Sequence, residues 1–181
     1  MIRVIAGKFK HRVLKQPSMS ITRSTKDVCK EGLFSSLGDI SELSFLDLFS
    51  GSGAIGIEAF SRGAFPVYLN DVSKEAISII KENLRNLKIE NEIKVFNLDY
   101  LNALKRFNEL NISFDIIFLD PPYKMIIDFE FISNLLKFNV LKENGIIVAE
   151  TDYPLDQKLI DLYHVKQLKY GRSSMYIIRG F

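Results

Sequence analysis

Residues 45–56 read Phe45-Leu46-Asp47-Leu48-Phe49-Ser50-Gly51-Ser52-Gly53-Ala54-Ile55-Gly56. Phe45 to Phe49 is a strand-like apolar run, and Ala54 to Ser61 reads as a helix with Gly63 placed to cap its C-terminal end. Between them the glycines fall in the spacing G-x-G-x-x-G. A strand, a glycine loop and a helix in that order open a nucleotide-binding βαβ unit. The glycines let backbone approach a ligand closely, and the helix N-terminus favours a negative group. By itself the loop suits either a dinucleotide or S-adenosylmethionine.

Downstream, strand and helix patterns alternate. Strands are predicted at Val67–Asn70, Ile93–Phe96, Phe114–Leu119 and Gly145–Ala149. Helices are predicted from the N-cap Ser73 to Leu87, with Ala76, Ile77, Ile80 and Leu84 on one face, and over Leu101–Phe107 and Phe129–Phe138. This order predicts an α/β fold with a doubly wound, parallel sheet. The chain ends differently. After Pro154 and a short helix, His164–Leu168 and Met175–Ile178 read as two strands joined through Tyr170-Gly171-Arg172, a terminal hairpin.

Upstream, Met1–Ala6 and Arg12–Leu14 read as a short β-hairpin around Gly7-Lys8. Thr25–Leu37 reads as a helix with apolar positions Val28, Cys29, Leu33, Phe34 and Leu37, ended by Gly38-Asp39. The boundary falls near residues 38–44, which divides the chain into a basic N-terminal extension, 1–40, and a body, 41–181.

Three acids sit where strands end. Asp47 lies four residues before the first glycine; a carboxylate there suits the ammonium of a methionine moiety and repels a pyrophosphate, or else it caps the loop. Asp71 follows the second strand of the alternation, 20 residues after Gly51, where an acid holds ribose hydroxyls. Asp99 follows the next strand and can accept from an adenine amino group, cap the helix at 101, or do both.

The apolar run Phe114–Leu119 ends in Asp120-Pro121-Pro122-Tyr123. An exocyclic amine on a nucleobase is a poor nucleophile because its lone pair is delocalised into the ring. Acceptors on both N–H groups turn that lone pair outward. The Asp120 carboxylate supplies one, and a carbonyl of the Pro-Pro segment, that of Pro121, the other. Proline fixes φ, so the acceptor direction is set before substrate arrives. Tyr123 can stack on the base, worth about 1–3 kcal/mol, once the base has left its own stack. The bland alternative is a stiff surface turn. Together the glycine loop and this tetrapeptide predict methyl transfer from S-adenosylmethionine to a nucleobase amine, with no metal required.

Composition agrees with one domain-sized core: 47% of the 181 residues are hydrophobic. The single cysteine, Cys29, excludes an internal disulfide, and two distant histidines offer no zinc site. No apolar run approaches 18 residues and Lys8, Lys10, His11 and Arg12 interrupt any leader, so a soluble cytoplasmic protein is expected. Charge is placed unevenly: residues 1–30 hold eight Lys/Arg and one acid, net +7, against −5 over the rest. A basic arm on an acidic body is the footprint of a phosphate-backbone binder, or a solvated terminus.

Met1-Ile-Arg-Val-Ile-Ala-Gly7, Arg23-Ser-Thr-Lys-Asp27, Glu31 with Leu33-Phe34, Asp47-Leu-Phe-Ser-Gly-Ser-Gly53, Leu119-Asp-Pro-Pro-Tyr123 and the closing Tyr170-Gly171 and Met175-Tyr176 occur in a familiar order. The chain resembles the RsmD family, the bacterial small-subunit ribosomal RNA guanine-N2 methyltransferases. The resemblance implies a Rossmann-like class I methyltransferase fold with a seven-stranded sheet and an N-terminal β-hairpin. It implies S-adenosylmethionine as cofactor and one guanine N2 of 16S ribosomal RNA, in an assembled or assembling small subunit, as target of a monomeric enzyme. It assigns catalysis to Asp120, Pro121, Pro122 and Tyr123. Cofactor contacts fall to Asp47, Phe49, Ser50, Gly51, Ser52, Gly53, Asp71 with Val72, and Asp99 with Tyr100. The basic charge of the arm, read separately, puts RNA contacts at Arg3, Lys8, Lys10, Arg12 and Arg23. Departures from the family pattern are Ser24 where proline is usual, Val28 and Cys29 where basic residues are usual, and Asp71 where glutamate is common. Two competing readings are a DNA adenine-N6 or cytosine-N4 methyltransferase, for which the chain has no spare length to build a recognition domain, and a non-catalytic RNA-binding assembly factor.

Overall fold

The computed structural model describes residues 2–16, 27–122 and 124–181; Met1, residues 17–26 with Arg23, and Tyr123 lie outside the described residues. Seven strands form one sheet in the order β5-β4-β3-β6-β7-β9-β8. They are β3 (Phe45–Asp47), β4 (Val67–Asn70), β5 (Ile93–Phe96), β6 (Phe114–Leu119), β7 (Leu141–Thr151), β8 (His164–Tyr170) and β9 (Ser173–Arg179). The first five are parallel, and β9 joins β7 and β8 antiparallel. The chain winds outward from β3 to β5, then returns to β6 on the other side of β3. The β3/β6 boundary is therefore the topological switch point, where open α/β sheets leave a crevice at the carboxyl ends of the strands.

Helices cover both faces: α1 (Asp27–Leu37), α2 (Ala54–Ser61), α3 (Lys74–Leu87), α4 (Tyr100–Glu109), α5 (Phe129–Leu136) and the short α6 (Gln157–Leu162). One buried cluster unites Leu33 and Phe34 of α1 with α2, α3 and the faces of β3 and β6 bearing Phe45 and Phe118. The other packs α4 and α5 on Leu46, Ile117 and Leu119. This alternation in a parallel sheet follows from the pleat, which sends successive side chains to opposite faces.

The N-terminal hairpin pairs β1 (Ile2–Arg3) with β2 (Val13–Leu14) and lies along α2. A buried carboxylate does the anchoring: Glu58 accepts from Ile5 N at 2.7 Å, Ala6 N at 3.0 Å and Arg62 Nε at 2.7 Å. Lys30, also fully buried, lies 3.9 Å from Glu58 and donates to the Arg3 carbonyl. At the hairpin's turn, Gly7 has φ +80° and a Cβ there would meet the Ser61 carbonyl oxygen at 1.7 Å, so only glycine permits this approach.

Several boundaries differ from expectation. β7 begins at Leu141 rather than Gly145, because a register shift against β6 loops out residues around Asn144, which has φ +60°. The closing strands run longer, and Tyr170 pairs with Ser173 across the two-residue turn Gly171-Arg172. Val28 is 67% exposed although it shares the apolar spacing of α1; Cys29, Leu33 and Phe34 are the buried apolar positions. On the C-terminal side of α2, Arg62 is the cap and Gly63 follows at φ +99°.

Candidate active site

The glycine loop leaves β3 and is held by short bonds on both flanks. Ser50 Oγ donates to the Asp47 carbonyl at 2.7 Å and accepts from Asn70 N at 3.0 Å. Gly51 N donates to Asp71 Oδ2 at 2.8 Å, which fixes the loop to the end of β4. Gly53, at φ +79°, lies so close to α3 and β4 that a Cβ would come within 3.2 Å of Ile80 and Leu69. No side chain caps α2 at Gly53, so the helix N-terminus opens onto the loop with its positive end.

Asp47 is 1% exposed. Its Oδ2 accepts from Gly56 N at 3.2 Å, while Oδ1 is a buried oxygen without a partner among the described residues. Burial is the main cause that pushes its carboxyl up to about 7; the Asp71 charge pushes the same way and the Gly56 bond opposes. A buried carboxylate oxygen left unsatisfied beside a glycine loop is a site for a cation with N–H donors. The residues present thus fit an ammonium group.

Asp120 follows β6, the neighbour of β3, and Leu48 N donates to the Phe118 carbonyl at 3.1 Å where the two strands end. Asp47 is in register with Phe118; Asp120, two residues beyond, is on the same face. Burial, then the charges of Glu150 and Asp47, hold the Asp120 carboxyl well above the ordinary carboxylate range. Pro122 closes a turn by accepting Met125 N at 2.8 Å. Asp120 to Pro122 and the glycine loop therefore leave adjacent strand ends, at the crevice of the switch point.

Around it, the Asp71 carboxylate also accepts from Ser73 N at 2.8 Å, and Asn97 Nδ2 bonds the carbonyls of Asp71 and Val72. Val72 is 66% exposed. Asp99 is the N-cap of α4, with Oδ1 3.0 Å from Asn102 N; these bonds hold its carboxyl below the ordinary range. Phe49 and Tyr100 meet with ring centroids 5.9 Å apart, and Tyr100 stacks on Phe131 at 5.4 Å. Asp47, Phe49, Ser50, Gly51, Ser52, Gly53, Asp71, Val72, Asp99, Tyr100, Asp120, Pro121 and Pro122 so converge on the carboxyl edge of β3, β4, β5 and β6.

The basic residues of the arm sit apart from this crevice. Lys8 and Lys10 are on the hairpin turn, bonded to the C-terminal end of α2 through Lys8 N to the Ser61 carbonyl, and Arg12 Nη2 donates to the Asn86 carbonyl of α3 at 2.9 Å. Eight residues of α2 separate Lys8 and Lys10 from the glycine loop, roughly 12 Å of helix. Arg3 pairs with Asp27 at 2.9 Å. Sequence reasoning missed Glu150, the next-to-last residue of β7, whose charge acts on Asp120; its position near a parallel strand's carboxyl end was the available signal. It also missed Asn70, which bonds the Leu48 and Leu98 carbonyls, and Asn83. Nothing in spacing marks a buried asparagine as a bridge.

The family model described as Conserved hypothetical protein 95 matches residues 2–179. The Bacillus subtilis protein YlbH is 35% identical over 181 residues, 98% of each chain. Ribosomal RNA small subunit methyltransferase D of Buchnera aphidicola (subsp. Baizongia pistaciae) is 37% identical over 158 residues, 86% of this chain and 79% of that one. The solved structure of HI0767 from Haemophilus influenzae, assigned as a methylase, aligns with a TM-score of 0.74 at 31% identity, covering 98% of this chain and 97% of that one.

Proposed function

Because the chain belongs to the conserved hypothetical protein 95 family, the RsmD-like family that takes in small-subunit ribosomal RNA methyltransferase D, we propose that it is an S-adenosylmethionine-dependent methyltransferase acting on the N2 amine of one guanine in 16S ribosomal RNA. The observation that carries the reading is the shared crevice: Asp120 and the orphaned carboxylate Asp47 stand on one face of adjacent strands, beside the glycine loop.

When bound, the cofactor supplies an electrophilic methyl carbon on a positively charged sulfur. Asp47 would hold its ammonium, Asp71 its ribose hydroxyls and Asp99 its adenine amino group. Ser50, Gly51, Ser52 and Gly53 shape the loop, and Phe49, Val72 and Tyr100 line the ring. Asp120 and the Pro121 carbonyl accept the two N–H bonds of the target amine and aim its lone pair at the methyl carbon, while Pro122 stiffens the turn and Tyr123 stacks on the base. On methyl transfer the sulfur would keep its bonding pair, and Asp120 or water would take the extra proton of the nitrogen. Asp120 ionises more readily once a positive charge fills the crevice, because that charge offsets the fields of Glu150 and Asp47.

We assign RNA engagement to the extension, residues 1–40, through Arg3, Lys8, Lys10, Arg12 and Arg23, and catalysis to residues 41–181. The substrate is an assembled or assembling small subunit, and the enzyme is a cytoplasmic monomer. Among the described residues no helix is long and apolar enough to cross a membrane.

The test uses labelled cofactor with small ribosomal subunits or DNA, nucleoside mass spectrometry, and calorimetry with S-adenosylhomocysteine. Label is expected in 16S RNA as N2-methylguanosine. Asp120→Ala is expected to lower turnover on the order of 10²–10⁴-fold with cofactor affinity nearly unchanged. Label confined to DNA refutes the substrate, and loss of cofactor binding in folded Asp120→Ala refutes the role given to Asp120.

A further inference from the structure

Asn83 is a buried amide, 1% exposed, near the C-terminal end of α3. Its Oδ1 accepts from Lys15 N at 2.8 Å. Its Nδ2 donates to the Lys15 carbonyl at 3.1 Å and to the Ser52 carbonyl at 3.0 Å. Both donors and the acceptor are thus engaged. One planar group grips the backbone that enters residues 17–26 on one side and the middle of the glycine loop on the other. Two further bonds lay the same backbone along α3: Lys15 pairs with Glu82, and Arg12 with the Asn86 carbonyl. On the loop side, Gly53 rests on Ile80, one turn before Asn83.

The donors of a carboxamide lie in one plane at a fixed angle. A shift of the Ser52 carbonyl therefore re-aims the amide, and the Lys15 bonds follow or break. Breaking them strands a buried polar group, at a cost of about 1–3 kcal/mol, so loop and arm are held to one joint arrangement.

We infer that Asn83 is a positioning residue that couples the two substrates: filling the glycine loop orders the backbone of the N-terminal arm, and RNA held by the arm tightens the loop on its ligand. The inference rests on the reading of the loop as a cofactor site and of the arm as an RNA contact. Linkage makes the effect reciprocal. The coupled pieces are otherwise far apart in sequence, 15 and 52, and α3 is the element that both touch.

Hydrogen exchange read by mass spectrometry over residues 8–16, with and without S-adenosylhomocysteine, tests the first half. The ligand is expected to slow exchange there several-fold in the wild-type chain and not in Asn83→Ala. Calorimetry tests the second half: S-adenosylhomocysteine is expected to bind the complex with small ribosomal subunits at least about 5-fold more tightly than the free chain, and the ratio is expected to fall to one in Asn83→Ala. Asn83→Asp, which keeps the shape and the acceptor but loses both donors, serves if the alanine variant fails to fold. A merely structural asparagine would lower Tm and leave the ratio unchanged, which overturns the inference. Ligand binding without arm protection in the wild-type chain overturns it too, with the methyltransferase reading intact. Failure of the wild-type chain to bind the ligand at all overturns both.

Discussion

Asp47 is a buried carboxyl whose ionisation costs the fold. Its carboxyl titrates near 7 in the folded chain against an ordinary value of 3.8, because burial disfavours the ion. A proton on Asp47 therefore stabilises the fold. That stability is complete below the unfolded value and is lost as pH rises from about 4 to about 7, after which the loss is constant. That gap corresponds to on the order of 4 kcal/mol as an upper bound. Asp47→Asn, neutral at every pH, is expected to raise Tm above pH 8 by on the order of 5 °C or more relative to the wild type, with the advantage shrinking toward pH 4. The same variant is expected to lose S-adenosylhomocysteine binding. A thermal series from pH 4 to 9 with calorimetry checks both; a pH-independent difference in Tm refutes the raised titration.

At the scale of elements, the N-terminal hairpin owes its place to one side chain of α2. Glu58 accepts two backbone N–H groups of the hairpin and the Arg62 guanidinium, and it is the buried counter-charge of Lys30 on α1. Burial pulls the Lys30 ammonium down from its ordinary value while Glu58 and Asp27 pull it up. Glu58→Ala leaves that ammonium with the partly exposed Asp27 as counter-charge and the Arg3 carbonyl as acceptor, and strips the Ile5 and Ala6 N–H groups of their acceptor. The expected destabilisation is about 3–5 kcal/mol, with faster proteolysis within residues 2–16, read by urea denaturation and limited digestion. A loss below 1 kcal/mol would show that the pair is not what anchors the hairpin. None of this was legible in the sequence: Glu58 lies in an apolar helix, 53 residues from Ile5, and its partners are backbone amides that carry no signature.

For the whole molecule, charge is divided between residues 1–30, net +7, and the remaining residues, net −5. Lys8 and Lys10 stand at the C-terminal end of α2 and Arg12 at the C-terminal end of α3, where the proposed RNA contact would leave the glycine loop clear. Reversing all three charges is expected to weaken association with small ribosomal subunits and to reduce the slope of log affinity against log salt by about 2. Filter binding between 50 and 300 mM salt measures it, and an unchanged slope removes the arm from the RNA contact. S-adenosylhomocysteine affinity of the free chain is expected to hold, since none of these side chains reaches the loop.

The alternation of strands and helices, the glycine loop and the acids at strand ends were readable from the chain alone, because each depends on neighbours within a few residues: pleat, helical period, and a φ that only glycine tolerates. The switch point between β3 and β6 was implied but not visible. Only the folded sheet brought Asp120 beside Asp47 and Glu150, from segments some 70 and 30 residues apart, and burial there, not residue type, raises the Asp47 and Asp120 carboxyls. The same holds for Asn83. Its bonds join residues 15 and 52 through a helix that follows both, and long-range pairing of backbone groups is decided by packing, which no local pattern encodes.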